Sequence, residues 1–234
     1  GRTTVLQAGW RGEWAAELSL QRDGSHSERM IRCSSSLPLS PAMATFAAQC
    51  SEENEAVASL SDVIGHVEGV LEDRGYVESA LYGSSLADFI CDIELRLTGA
   101  DVAVAALANN FTSVGPDVTL SAVLASYPFT NTMVLLRMRA GDLREAMERS
   151  AEYIDIIDGT PAVSPSFAPG KNERYNFDLY RGLDYAFDYR KEKGRRVVRM
   201  ERNGVDLLAN PDTLLLVAAN GYRATGSGGH DAYR

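Results

Sequence analysis

The stretch Val102–Leu107 constrains the fold of this chain more than any other, because every residue in it is apolar. A run without polar alternation reads as a strand buried on both faces, which must lie inside a sheet. The segment before it reads as the helix that packs on that sheet. Ser85 followed by Asp88 resembles a capping box, and Leu86, Phe89, Ile90, Ile93 and Leu97 supply an apolar face before Gly99 ends the helix. A second unit runs in the opposite order, with a strand at Thr132–Met138, a turn at Ala140-Gly141 and a helix over Asp142–Tyr153. Leu143, Ala146 and Met147 face inward in that helix, and Asp142 with Glu145 makes a cap. The fold class that follows is α+β, a mixed sheet with packed helices.

Between Ser51 and Arg74 the residues Ala56, Leu60, Val63, Ile64, Val67, Val70 and Leu71 recur at three- and four-residue steps. That spacing predicts a connector helix of about 20 residues, roughly 30 Å long, which suits a spacer between two bodies. Glu52, Glu53 and Glu55 crowd its N-terminus, Gly75 stops it, and His66 falls on its polar side. Ahead of it, short strands are expected at Thr3–Gln7, Trp14–Leu20 and Arg29–Cys33, too little for an independent domain. Downstream, Asp158–Asn172 reads as a Pro/Gly loop, and Val197–Met200 pairs with Val205–Leu208 across the Asn203-Gly204 turn. Leu214–Ala219 is a further strand, running into a glycine-rich segment that ends at Gly229. The domains expected are strands over 1–50, the connector over 51–78 and a main domain over 79–234.

A net charge of -9 argues against binding a nucleic acid polymer, which needs a basic face. It leaves a mononucleotide open, since one or two donors can hold it. No run of 18 apolar residues exists to span a membrane. The first residues lack the regions of a signal peptide, and Gly1 opens into strand-like sequence as if cut from a longer chain. Cys33, Cys50 and Cys91 lack CxxC spacing; Cys33 and Cys50 could pair, although buried free thiols are the default reading.

Residues 173–188 mix aromatic and polar side chains in a way that bears on function. Tyr185, Phe187 and Tyr189 alternate with Ala186, Asp188 and Arg190, as a half-buried strand does. Ahead of Gly182 the alternation fails, and Tyr175, Phe177 and Tyr180 are mixed with Asn176, Asp178 and Arg181. Such a mixture suits a site that stacks a flat ring and hydrogen-bonds its edge, and equally a plain aromatic core; both readings stay open. His26, His66 and His230 show no metal-ligand spacing, and there is no GxSxG elbow, P-loop or dinucleotide fingerprint. Asp92 with Glu94, and Asp184 with Asp188, read as solvated carboxylates, and the run Lys191 to Arg202 as a solvated basic hairpin. No catalytic set and no metal site is legible, so the chain alone is expected to be inactive.

Four motifs carry a resemblance: Thr98-Gly-Ala-Asp-Val102, Tyr127-Pro-Phe-Thr-Asn-Thr132, Tyr175-Asn-Phe-Asp178 with Gly182 downstream, and Asn220-Gly-Tyr-Arg-Ala224 with its glycines. Together, over roughly 79–229, they resemble the C-terminal domain of the 5′-nucleotidases. The branch that looks nearer is the 2′,3′-cyclic-nucleotide 2′-phosphodiesterase/3′-nucleotidases. Gln7-Ala-Gly-Trp-Arg-Gly12 is similar to the closing strands of the metallophosphoesterase domain that precedes it there. The resemblance implies a nucleoside or nucleotide partner whose base is sandwiched by two rings. It places Phe177 as one jaw, with Tyr175 if the register slips, and Tyr222 as the other. Asn176, Asp178, Asn109 and Asn220 become candidates for the base edge and ribose, with Gly226 and Gly228 as the close-approach backbone. No cofactor is expected in this chain; divalent metal ions are implied in the N-terminal metallophosphoesterase domain as its partner.

Two departures stand out. Ala108–Ser113 replaces the glycine-rich segment that reads phosphate in typical 5′-nucleotidases, and Gly228 stands where that branch carries its ribose aspartate. A periplasmic or secreted location is implied by resemblance alone. The apolar strands of 1–50 need cover, from the connector or from a homodimer formed through residues 1–74. The alternative class is a non-catalytic ligand-binding or protein-interaction module with no nucleotide role.

Overall fold

The computed structural model describes all residues except 1–3, 10, 11, 35, 39, 53–58, 73, 110–112 and 169–172, and no side chain of 47–52. It divides into two compact units, Gly1–Val57 and Ala58–Arg234. In the first, β1 (Trp14–Leu20) and β2 (His26–Arg32) form an antiparallel hairpin in register from Trp14↔Arg32 to Leu20↔His26. Asp23 closes its turn by accepting the Ser25 N–H at 2.9 Å, and helix α1 (Pro41–Glu52) follows. No strand forms over residues 4–7, and Thr3 lies outside the described residues. Cys33 is an exposed free thiol and Cys91 a buried one, while the Cys50 side chain is not described.

The second unit opens with β3 (Val63–His66), α2 (Tyr76–Tyr82), α3 (Ser85–Thr98) and β4 (Val102–Ala106). Next come β5 (Asp117–Thr119), α4 (Leu120–Ser126), β6 (Met133–Arg139) and α5 (Ala140–Ala151). Two short strands, β7 (Ile154–Ile157) and β8 (Thr160–Val163), precede β9 (Asp178–Arg181) and β10 (Asp184–Phe187). The unit closes with β11 (Val197–Arg202), β12 (Val205–Asp206), β13 (Leu214–Asn220) and the short α6 (Gly221–Ala224). The connector helix expected through Val63–Leu71 is corrected by this order: β3 pairs antiparallel with β5 across a bulge between Val63 and Gly65. Val63, Ile64, Val67 and Val70 are β-branched, and Gly65 and Gly69 interrupt them, so the local preference is for strand and turn over helix. His66 accordingly sits on that strand, its Nδ1 2.8 Å from the Asp117 carboxylate. Residues 53–58 of the expected helix lie outside the described set.

The central sheet has four strands in the order β6-β13-β4-β9. β13 runs parallel to β4 and antiparallel to β6, and β9 is antiparallel to β4, so the sheet is mixed as the sequence implies. β4 is buried throughout. Its Val102 and Val104 enter one apolar cluster with Leu143, Ala146 and Met147 of α5. Ala103 and Ala105 enter the other, with Leu86, Ala87 and Cys91 of α3. Period-2 alternation therefore feeds both layers, and the small residues on the α3 side let that helix lie close.

Helix α3 is capped one residue earlier than expected: the Ser84 hydroxyl accepts the Ala87 N–H, and Gly99 ends the helix with φ 68°. Helix α5 has no side-chain cap; Arg139 holds the N-cap position, and Asp142 lies inside the first turn. One member of the supposed basic hairpin is not solvated. Arg196 is buried and donates to the carbonyls of Ala151 and Ile154 at 2.8 and 2.6 Å, satisfying one acceptor in the last turn of α5 and one just beyond it.

Candidate functional site

Because β4 and β13 are parallel and β6 and β9 run against them, four chain segments meet at one end of the sheet. These are the C-terminal ends of β4 and β13 and the entries to β6 and β9. Ends of parallel strands are where open sheets present ligand-binding groups. Here the four segments enclose a cavity of about 340 Å³, within the small-molecule range. Ala106 comes from the end of β4 and Tyr175 from the 3-10 turn Arg174–Asn176 before β9. Phe129 and Asn131 come from the entry to β6, and Asn220, Tyr222 and Arg223 from the β13–α6 junction.

Local chemistry fixes each ring. Asn220 caps α6, its Oδ1 accepting the Arg223 N–H at 2.8 Å, which turns Tyr222 outward at the sheet end. The Gly221 N–H donates to the Thr132 carbonyl at 2.7 Å and ties this turn to the Phe129 loop. Phe129 is braced edge-on by Tyr127, ring centroids 6.2 Å apart. Tyr175 meets Tyr222 at 6.5 Å with planes 80° apart. Tyr222 remains 43% exposed and Phe129 46%, so both offer a face to a ligand.

Beneath the rings lies a buried ion pair. The Asp178 Oδ1 accepts from Arg223 Nε at 3.0 Å and Nη2 at 2.7 Å, and Oδ2 accepts from the Tyr233 hydroxyl at 3.3 Å. Arg223 also donates to the carbonyls of Tyr175 and Ser227, each at 2.7 Å. Burial alone would push this guanidinium down; the Asp178 charge reverses that and raises it. His230 donates Nε2–H to the Asn176 carbonyl at 3.0 Å, and burial holds its imidazole below the usual value against the pull of Asp178.

The expected site residues separate into two groups. Tyr175, Tyr222 and Asn220 come together at the cavity. Phe177 does not: it is 4% exposed and packs on Tyr153 at 5.6 Å and Phe187 at 6.4 Å within the α3-side cluster. Asp178 is consumed by Arg223, and Asn176 is buried, donating to Glu173 at 3.0 Å. Asn109 accepts the Arg174 N–H at 2.9 Å, a turn-holding role, and residues 110–112 beside it are not described. The glycine loop turns on the protein's own side chains. A Cβ on Gly228, at φ 77°, would overlap the Asn176 Oδ1, and Gly226 faces the Arg234 guanidinium.

Phe129 and Asn131 stood in the motif Tyr127–Thr132, but nothing in it marked a jaw. Arg223 stood in the motif Asn220–Ala224, but nothing there marked it as the partner of Asp178. Glu94 departs from its reading as well. Asp92 is solvated and pairs with Arg181, whereas Glu94 is half-buried with an unpartnered Oε2. Burial pushes the Glu94 carboxyl from 4.5 up to about 7, with the Val104 backbone N–H opposing the shift.

The sign of that shift gives a stability prediction. Below the unfolded value both states carry the proton and stability is full; as pH rises through the folded value the fold must hold a buried charge, at a cost on the order of 3 kcal/mol. Glu94→Gln is therefore expected to be more stable than wild type in urea unfolding near pH ~8, with the gap closing near pH ~5. A gap equal at both pH values contradicts it. Among the described residues no group of three or more His, Cys, Asp or Glu is placed to hold a metal.

The profile of the family "5'-nucleotidase, C-terminal domain" matches residues 63–234. The chain belongs to that family. Sequence relatives include the Trifunctional nucleotide phosphoesterase protein YfkN of Bacillus subtilis (strain 168), 26% identical over 52% of this chain and 9% of its own. Another is a Haemophilus influenzae 2',3'-cyclic-nucleotide 2'-phosphodiesterase/3'-nucleotidase, 30% identical over 43% of this chain and 17% of its own. Among solved structures, a Staphylococcus aureus protein described as a 5'-nucleotidase, bound to alpha-ketoglutarate, matches with a TM-score of 0.76 at 26% identity. That match covers 93% of this chain and 42% of the other. The chain thus spans less than half the length of each of these relatives.

Proposed function

We propose that this chain is the nucleoside-binding, specificity-giving part of a metal-dependent nucleotide phosphohydrolase. The first reading is a 2′,3′-cyclic-nucleotide 2′-phosphodiesterase/3′-nucleotidase, the second a 5′-nucleotidase. The observation that carries it is the cavity where Phe129, Tyr175 and Tyr222 surround the amides of Asn131 and Asn220. Two rings held 80° apart cannot both lie flat on one base, so Tyr175 and Tyr222 are not the two jaws. A base that stacks on Tyr222 leaves Phe129 as the ring for its second face, Tyr175 closing the edge. Stacking contributes ~1–3 kcal/mol per ring and tolerates different bases, which suits broad substrate use.

Family membership and the activities named for the relatives support the reading. The divalent metal ions that would activate water belong, on this proposal, to a metallophosphoesterase domain acting as partner, in a periplasmic or secreted setting. Among the described residues no helix is long and apolar enough to cross a membrane.

Calorimetric titration with adenosine tests the proposal. Wild type is expected to bind, and Tyr222→Ala to bind roughly 5- to 150-fold more weakly, the equivalent of one lost stack. No binding by wild type favours a protein-interaction module instead.

A further inference from the structure

We propose that a side cavity next to the rings is the subsite for the exocyclic amino group of the base, with Glu94 as its specificity-determining residue. This rests on the nucleoside reading above. The side cavity, about 150 Å³, is lined by Ile90, Glu94, Tyr127 and Met133 and shares Asn131 and Asn220 with the ring-lined cavity. Glu94 is carried by α3, a different element from those that supply the rings.

Glu94 lines this cavity, and its Oε2 is buried without a hydrogen-bond partner, so the carboxyl is short of donors and one offered from the cavity offsets that cost. The side-chain donors lining the cavity are engaged elsewhere. Asn131 and Asn220 both turn their Nδ2 groups toward the Tyr127 hydroxyl, at 3.4 and 3.5 Å, and no lysine or arginine lines the side cavity. A flat base with an exocyclic amine carries the missing donor on the edge of the ring that stacks. Against the ionised carboxylate, a base with a carbonyl at that position brings an acceptor against an acceptor. The inferred preference is adenosine over inosine and cytidine over uridine.

Titrating the four nucleosides near pH ~8 against wild type, Glu94→Leu and Glu94→Gln tests the assignment, with circular dichroism confirming that each variant is folded. Wild type is expected to favour the amino member of each pair about tenfold or more, the effect of one charge-assisted hydrogen bond. Glu94→Leu brings both ratios close to one through loss of affinity for adenosine and cytidine. Glu94→Gln, which keeps the shape and presents either donor or acceptor, shrinks both ratios as well. Ratios that stay at the wild-type value in both variants overturn the assignment while leaving the nucleoside reading intact. A wild-type chain that binds none of the four overturns both.

Discussion

Replacing Asp178 with alanine is expected to cost ~3–5 kcal/mol of unfolding free energy, because it strands a buried charge. Arg223 is 2% exposed, and the carboxylate it loses accepts two of its hydrogen bonds. A domain of this size holds ~5–15 kcal/mol in total, so the loss is a large share of it. Pairing Asp178→Ala with Arg223→Met removes both charges, and the double variant is expected to lose less than the sum of the singles. Chemical denaturation of the four proteins measures this directly. A loss under ~1 kcal/mol for Asp178→Ala would mean that the pair is solvated and weak. The pair also reaches the site, since Arg223 holds the Tyr175 carbonyl and follows Tyr222 in the chain.

Phe177→Ala is expected to cost ~3–5 kcal/mol, the range for emptying a buried aromatic position. The ring sits between Tyr153 and Phe187 with Leu179 and Ala218 in the same cluster, so the vacated space has little means of collapsing. The contrast with Tyr222 separates core from site. Tyr222→Ala removes a ring that is 43% exposed, and should lower nucleoside affinity with little change in the denaturation midpoint. A Phe177→Ala variant as stable as wild type would return that ring to the list of ligand contacts.

The parts of the fold that were legible rest on patterns with one physical solution. The unbroken apolar run of β4 has to be interior, and the Asn203-Gly204 turn has to join β11 to β12. The stretch over Val63–Leu71 misled because three- and four-residue spacing of apolar side chains is also met by β-branched residues between glycines, and there backbone preference decides. At the site, Tyr175 and Phe177 stand two apart, and the 3-10 turn between them sends one ring to the cavity and the other into the core. Ring chemistry alone does not distinguish those outcomes. Glu94 lies on a helix whose other carboxylates are solvated. Its carboxyl lies by the β4 backbone at Val104 and shares a cavity with the β6 entry, a tertiary placement that its local sequence does not encode.

The central claim is that a flat heterocycle sits between Tyr222 and Phe129 at the end of the central sheet. A crystal structure of the chain grown with adenosine tests it most directly. The base is predicted to lie parallel to the Tyr222 ring, with Phe129 covering its other face and the Asn220 and Asn131 amides at its edge. Adenosine bound elsewhere on the molecule, or a cavity that stays free of it at saturating concentration, would contradict the account.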